Sequence, residues 1–79
     1  MSTEVSKAIA KLKQTNPKAK VAAIYKYGND IMLEAPSMKN DISDPFYIYS
    51  VKNDVIIPFN PMMNFKGFQQ AMRNPIKGA

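Results

Sequence analysis

The chain contains no cysteine and no histidine. Without cysteine there is no disulfide, no thiolate metal site and no cysteine nucleophile; without histidine there is no imidazole ligand and no histidine general base. These absences leave an intracellular or virion-like setting as the expectation. Arginine occurs once, at Arg73, and there is neither a glycine-aromatic RNA motif nor helix-turn-helix spacing. Gly28-Asn29-Asp30 lacks the glycine spacing and the Lys-Ser/Thr ending of a phosphate cradle. No apolar run approaches the ~20 residues of a spanning helix and no signal-peptide hydrophobic segment follows Met1, so a soluble chain without membrane association is expected. No nucleophile-base pair or metal set is visible. The expectation is therefore a protein that is not an enzyme, with no cofactor and no small-molecule substrate.

What is present begins with charge. The 79 residues carry a formal +5. Residues 1–26 hold Lys7, Lys11, Lys13, Lys18, Lys20 and Lys26 against Glu4 alone, whereas the five basic and five acidic residues of 27–79 cancel. All the excess positive charge thus sits at the amino end. A length of 79 residues means one domain, spanning 1–79, with a modest core.

From Val21 to Phe59, short apolar runs recur with turn-forming residues between them. Lys20 to Tyr27 suits a pleated strand, Gly28-Asn29-Asp30 a tight turn, and Ile31 to Ala35 the returning strand. Pro36 stops the ladder, and residues 37–45 are polar and lack a period. Phe46 to Val51 reads as a third strand, Lys52-Asn53-Asp54 as a second turn, and Val55-Ile56-Ile57 as a fourth strand ended by Pro58. Period two places Val21, Ala23, Tyr25 and Tyr27 on one side of the first strand and Ala22 and Ile24 on the other. In the third strand Tyr47, Tyr49 and Val51 oppose Phe46 and Ile48; in the fourth, Val55 and Ile57 oppose Ile56. A solvated face should be polar, so this sheet is expected to be covered on both sides, by helices, by another chain, or by both.

The flanks supply two helices. Ser2 or Thr3 can cap the first, Glu4 suits its positive end, and Val5, Ala8, Ile9 and Leu12 form one apolar stripe, giving a helix over roughly 3–15 that ends at Asn16-Pro17. At the other end Asn60-Pro61 is a good helix start, with Asn64 a competing cap. Phe65, Phe68 and Met72 make the stripe of a helix over roughly 62–73. Gly67 weakens that helix and implies either a close approach or a late start. Phe65 and Phe68 are expected in the core, and residues 74–79 are expected as a tail beyond Asn74-Pro75. The fold class is α+β: a four-stranded antiparallel meander with an N-terminal and a C-terminal helix.

Two sets of residues are candidates for contact. Tyr25, Tyr27, Tyr47 and Tyr49 would form neighbouring columns if the first and third strands lie close. They read either as an interface or as core, and Met62 and Met63 as adaptable contact surface or gap filling. Lys7, Lys11, Lys13, Lys18, Lys20 and Lys26 read as a solvated face or as contacts to phosphate. Asp41 and Asp44 flank Ser43, with Asp30 and Asp54 in the turns; their spacing does not match a calcium loop, and turn and cap duty is expected.

Asp44-Pro45-Phe46-Tyr47, the Asn53-Asp54 turn, the Pro58-Phe59-Asn60-Pro61 step and the closing Phe65, Phe68, Met72, Asn74-Pro75-Ile76 segment resemble small proteins of unassigned function encoded by tailed phages and prophages. The resemblance spans about residues 20–77. It implies a virion or phage-assembly protein, located in the virion or the host cytoplasm, and carries no catalytic residue; the lysine-rich first helix falls outside it. The leading expectation is a structural or assembly protein acting through protein–protein contacts, with a partner or with itself. The alternatives are a nucleic-acid-binding module that uses the N-terminal lysines, or a small inhibitor of a host protein.

Overall fold

The computed structural model describes residues 3–35 and 45–76. Helix α1 spans Thr3–Thr15 and is followed by strands β1 (Ala23–Tyr27), β2 (Asp30–Glu34), β3 (Phe46–Ser50) and β4 (Val55–Phe59). A 3-10 turn (Pro61–Met63) then leads into helix α2 (Phe65–Met72). The four strands form one antiparallel sheet in the order β1-β2-β3-β4. The α+β meander with a helix at each end is therefore as the residue pattern predicts. The expected cap at Ser2 and the acidic loop with Asp41 and Asp44 lie outside the described residues.

Alternation along the strands separates two cores. Ile24, Ile31, Leu33, Tyr47 and Tyr49 face α1 and pack with Val5, Ala8 and Leu12. Met32, Ile48 and Phe59 face the other way and pack with Ala71 of α2, with Tyr25, Tyr27, Phe46 and Phe68 partly buried around them. Each face carries one of the chain's own helices, α1 on one side and α2 on the other, as the apolar residues on both sides of the strands lead one to expect, although α2 covers only part of its face. The rings of Tyr27 on β1 and Phe59 on β4 meet edge to face with centroids 5.3 Å apart, although two strands lie between them. That contact requires the sheet to curl toward α2, in keeping with the strong twist of short sheets.

Boundaries shift where local chemistry wins. β2 begins at Asp30 because Gly28-Asn29 alone makes the turn, with Gly28 at φ 59°, the left-handed region that glycine enters without strain. β3 stops at Ser50, one residue early, because that residue serves the next loop: its carbonyl accepts from Asp54 N (2.8 Å) and its hydroxyl from Asn53 N (3.3 Å). β4 runs through Pro58 to Phe59 instead of ending at Pro58. Its place at the edge of the sheet explains this, since an edge strand can point a proline nitrogen away from its only neighbour.

The expected single helix over 62–73 is divided at Asn64. The side chain of Asn60 caps the 3-10 turn by accepting from Met62 N (2.9 Å), and that of Asn64 caps α2 by accepting from Gly67 N (3.1 Å). Both candidate caps are used. Beyond α2, residues 74–76, expected as the start of a tail, lie along the outer edge of β1. Lys26 N donates to Asn74 O (3.0 Å), Ile76 N donates to Ile24 O (2.8 Å), and Tyr25 bridges Pro75. Ile76 also packs against the α1-side core. Among the described residues no helix is long and apolar enough to cross a membrane.

Candidate functional site

The meander order and register separate the tyrosines. β2 separates β1 from β3, and the side chains of Tyr25 and Tyr27 leave the sheet opposite to those of Tyr47 and Tyr49, so the four do not form neighbouring columns. Tyr47 and Tyr49 are 7% and 1% exposed beneath α1 and belong to the core. The half-buried Tyr25 donates its hydroxyl to Glu34 Oε1 (3.3 Å), and burial, followed by the Glu34 charge, raises its pKa above the ordinary tyrosine value. Tyr27 Oη accepts from Asn64 Nδ2 (2.7 Å), tying β1 to the start of α2. Tyr47 and Tyr49 are thus core side chains, whereas Tyr25 and Tyr27 are partly buried on the α2 side and keep part of their surface open.

The N-terminal lysines lie on the α1 side of the sheet. Lys11 Nζ is 3.3 Å from Asp54 Oδ2, and Asp54 also accepts from the Tyr49 hydroxyl. The Tyr49 hydrogen bond, followed by the Lys11 ammonium, holds the Asp54 carboxyl below its ordinary pKa; the same hydrogen bond, with burial and the Asp54 charge, pushes Tyr49 up to about 12. This cluster clamps α1 to the β3–β4 loop, where Asp54 adopts φ 54°. Two open recesses border α1. One of about 340 Å³ is lined by Lys7, Lys11, Gln14, Tyr49 and Asp54, and one of about 460 Å³ has Lys13 and Lys20 beside Ile9, Val21 and Ile76. The six lysines do not converge on either. Among the described residues no group of three or more acidic side chains could hold a metal ion.

The α2 side is different. On α2, Phe65, Phe68 and Met72 share one stripe at three- and four-residue spacing, and Phe68 meets Phe46 of β3 edge to face at 5.1 Å. The stripe is wider than the contact: Phe65 is 55% exposed and Met72 40%. Only the Phe68 half of the expected core pair is in the core. Val55 and Ile57 extend the same sheet face through the pair Ile48↔Ile57, yet α2 packs chiefly on β1 and leaves them 45% and 51% exposed. Met62 and Met63, in the turn joining β4 to α2, are 82% and 71% exposed and so fill no gap in the core.

Each of these six large apolar residues is 40% exposed or more. Soluble monomers rarely leave so much large apolar surface on one side. The strand that contributes Val55 and Ile57 carries no charge from Val55 to Phe59, whereas the excess of basic residues lies in 1–26, before the sheet begins to turn back. The methionines were legible as candidates. Val55, Ile57 and Phe65 were missed because periodicity reports which face a residue is on and not whether a helix eight residues long reaches far enough to cover it. No family model, curated protein or solved structure matches the chain.

Proposed function

We propose that the chain is a non-enzymatic structural or assembly protein, of the kind used to build a phage particle, and that it acts by burying the apolar surface on the α2 side in a protein–protein contact. The observation that carries this reading is the set of large side chains left open there: Val55, Ile57, Met62, Met63, Phe65 and Met72. Methionine and phenylalanine are enriched in interface cores, where charged residues are depleted. A domain of this size also gains stability from association by mass action. The phage context rests on the likeness of the Asp44-to-Tyr47, Pro58-to-Pro61 and C-terminal segments to small phage proteins.

The test is a surface variant, Met62→Gln, Met63→Gln and Phe65→Ser together. All three residues are exposed, so the thermal midpoint should stay near that of the parent while association, followed by sedimentation, is lost. Unchanged association would refute the assignment of this surface. The lysine face favours a second reading, nucleic-acid contact on the α1 side. Under the assembly reading, Lys7→Gln, Lys11→Gln and Lys13→Gln together leave association unchanged; loss of association in that variant would transfer the contact to α1.

A further inference from the structure

We infer that the partner of this surface includes a second copy of the chain, joined by antiparallel pairing of the outer edge of β4 about a two-fold axis at Ile56. This rests on the assembly reading and specifies its geometry. The sheet has two edges. That of β1 is occupied by residues 74–76, whereas no described residue pairs with the outer side of β4. An edge strand with free backbone groups and apolar side chains is a template for another strand.

The usable length of that edge is bounded on both sides. The β3–β4 loop closes with Asp54 in the left-handed region and its N–H bonded to Ser50, so the strand proper starts at Val55. At the other end Pro58 has no N–H. It keeps its place opposite Tyr47 if its nitrogen faces away from β3, so by alternation the N–H and C=O of Ile56 also point outward. Only Val55 to Ile57 is then free to pair. The two-fold register sets Ile56 against Ile56 of the second copy, with two backbone hydrogen bonds, and Val55 against Ile57 twice over.

The side chains agree with that register. Val55 and Ile57 are the half-exposed residues of β4 on the α2 side, and in this pairing they meet each other across the join as a four-residue apolar cluster. Residues 55–59 are uncharged, so two identical copies meet without like charges opposed at the join. Pro58 also prevents the pairing from sliding further along the strand. The contact is therefore closed, a dimer with one eight-stranded sheet, and not an open fibre.

Because the chain has no cysteine, the register can be read by cross-linking. Val55→Cys and Ile57→Cys are prepared as separate proteins; both positions are exposed, and retained thermal midpoints confirm folding. In the inferred register residue 55 faces residue 57 as a non-hydrogen-bonded pair, with Cα atoms ~4.5 Å apart, which a disulfide can span. Under mild oxidation an equimolar mixture should give the mixed disulfide dimer as the main product, and neither protein alone should cross-link appreciably. Ile57→Lys should raise the concentration needed for self-association at least tenfold. A cross-link within either single variant means another register and overturns the inference. Absence of the mixed dimer while the parent protein still associates overturns this pairing and leaves the assembly reading standing. A parent protein that stays monomeric overturns self-pairing itself, leaving only a different protein as the partner.

Discussion

Gly67→Ala separates helix propensity from packing at the start of α2. In an exposed helix interior this change stabilises by about 1 kcal/mol. Here a Cβ on residue 67 would collide with Asn64 Nδ2 and lie 2.9 Å from Asn64 Cγ and 3.0 Å from Tyr27 Oη. The Asn64 side chain must move, and with it go the cap on Gly67 N, ~1 kcal/mol, and the hydrogen bond to Tyr27, also ~1 kcal/mol. The two losses outweigh the propensity gain, leaving a net destabilisation of about 1 kcal/mol. In a domain of this size that lowers the melting temperature by roughly 4–8 °C. The assay is thermal unfolding by circular dichroism of Gly67→Ala, Asn64→Ala and the double variant. Because Asn64→Ala has already given up both interactions, adding Gly67→Ala to it should leave only the propensity gain and stabilise by about 1 kcal/mol, a coupling of about 2 kcal/mol between the two sites. A Gly67→Ala protein more stable than the parent would refute the reasoning and show that the Asn64–Tyr27 tie does not hold α2 over β1.

Two further expectations concern the tyrosines. Tyr47→Ser removes a ring buried beneath α1 and should cost about 3–5 kcal/mol, enough to unfold much of a marginal domain. Tyr25→Ser, at a half-buried position, should leave the protein folded; similar midpoints for the two in urea would contradict their placement. The folded-state pKa of Tyr49 is raised to about 12, so its contribution to stability is complete below its ordinary value near 10 and is lost as the pH climbs toward 12. Tyr49→Phe should remove that part of the alkaline loss, and an identical pH profile in parent and variant would show that the hydrogen bond to Asp54 does not bias folding. Asp54 runs the opposite way. Its lowered pKa gives stability that is present above its ordinary value and fades as the pH falls through the depressed one.

Most of the fold was legible because its signals are local. The 3-4 spacing of Val5, Ala8 and Leu12, bounded by Asn16-Pro17, marks α1 at its observed limits. Turn residues at 28–29 and 52–54 mark the two hairpins. Gly67 reported both of the things read from it: α2 starts late, at Phe65, and the Tyr27 hydroxyl approaches closely. What was not legible depends on contacts distant in sequence. The pairing of residues 74–76 with β1 follows from where α2 ends relative to a strand some fifty residues earlier. Pro58 reads as a strand terminator until the strand is known to be at an edge. The tyrosines share a residue type, but only the strand order divides them between two cores. The exposed surface combines residues from β4, the 3-10 turn and α2, each ordinary in its own stretch.

The most direct test of the assembly reading is the solution mass of the purified protein by light scattering, at low and high salt, with and without added DNA. The account predicts a discrete oligomer, a whole multiple of the 8.9 kDa chain, whose mass changes with neither salt nor DNA, because the side chains it buries are apolar. A protein of 8.9 kDa that gains mass only with DNA at low salt would contradict it and move the function to Lys7, Lys11, Lys13 and the lysines that follow α1.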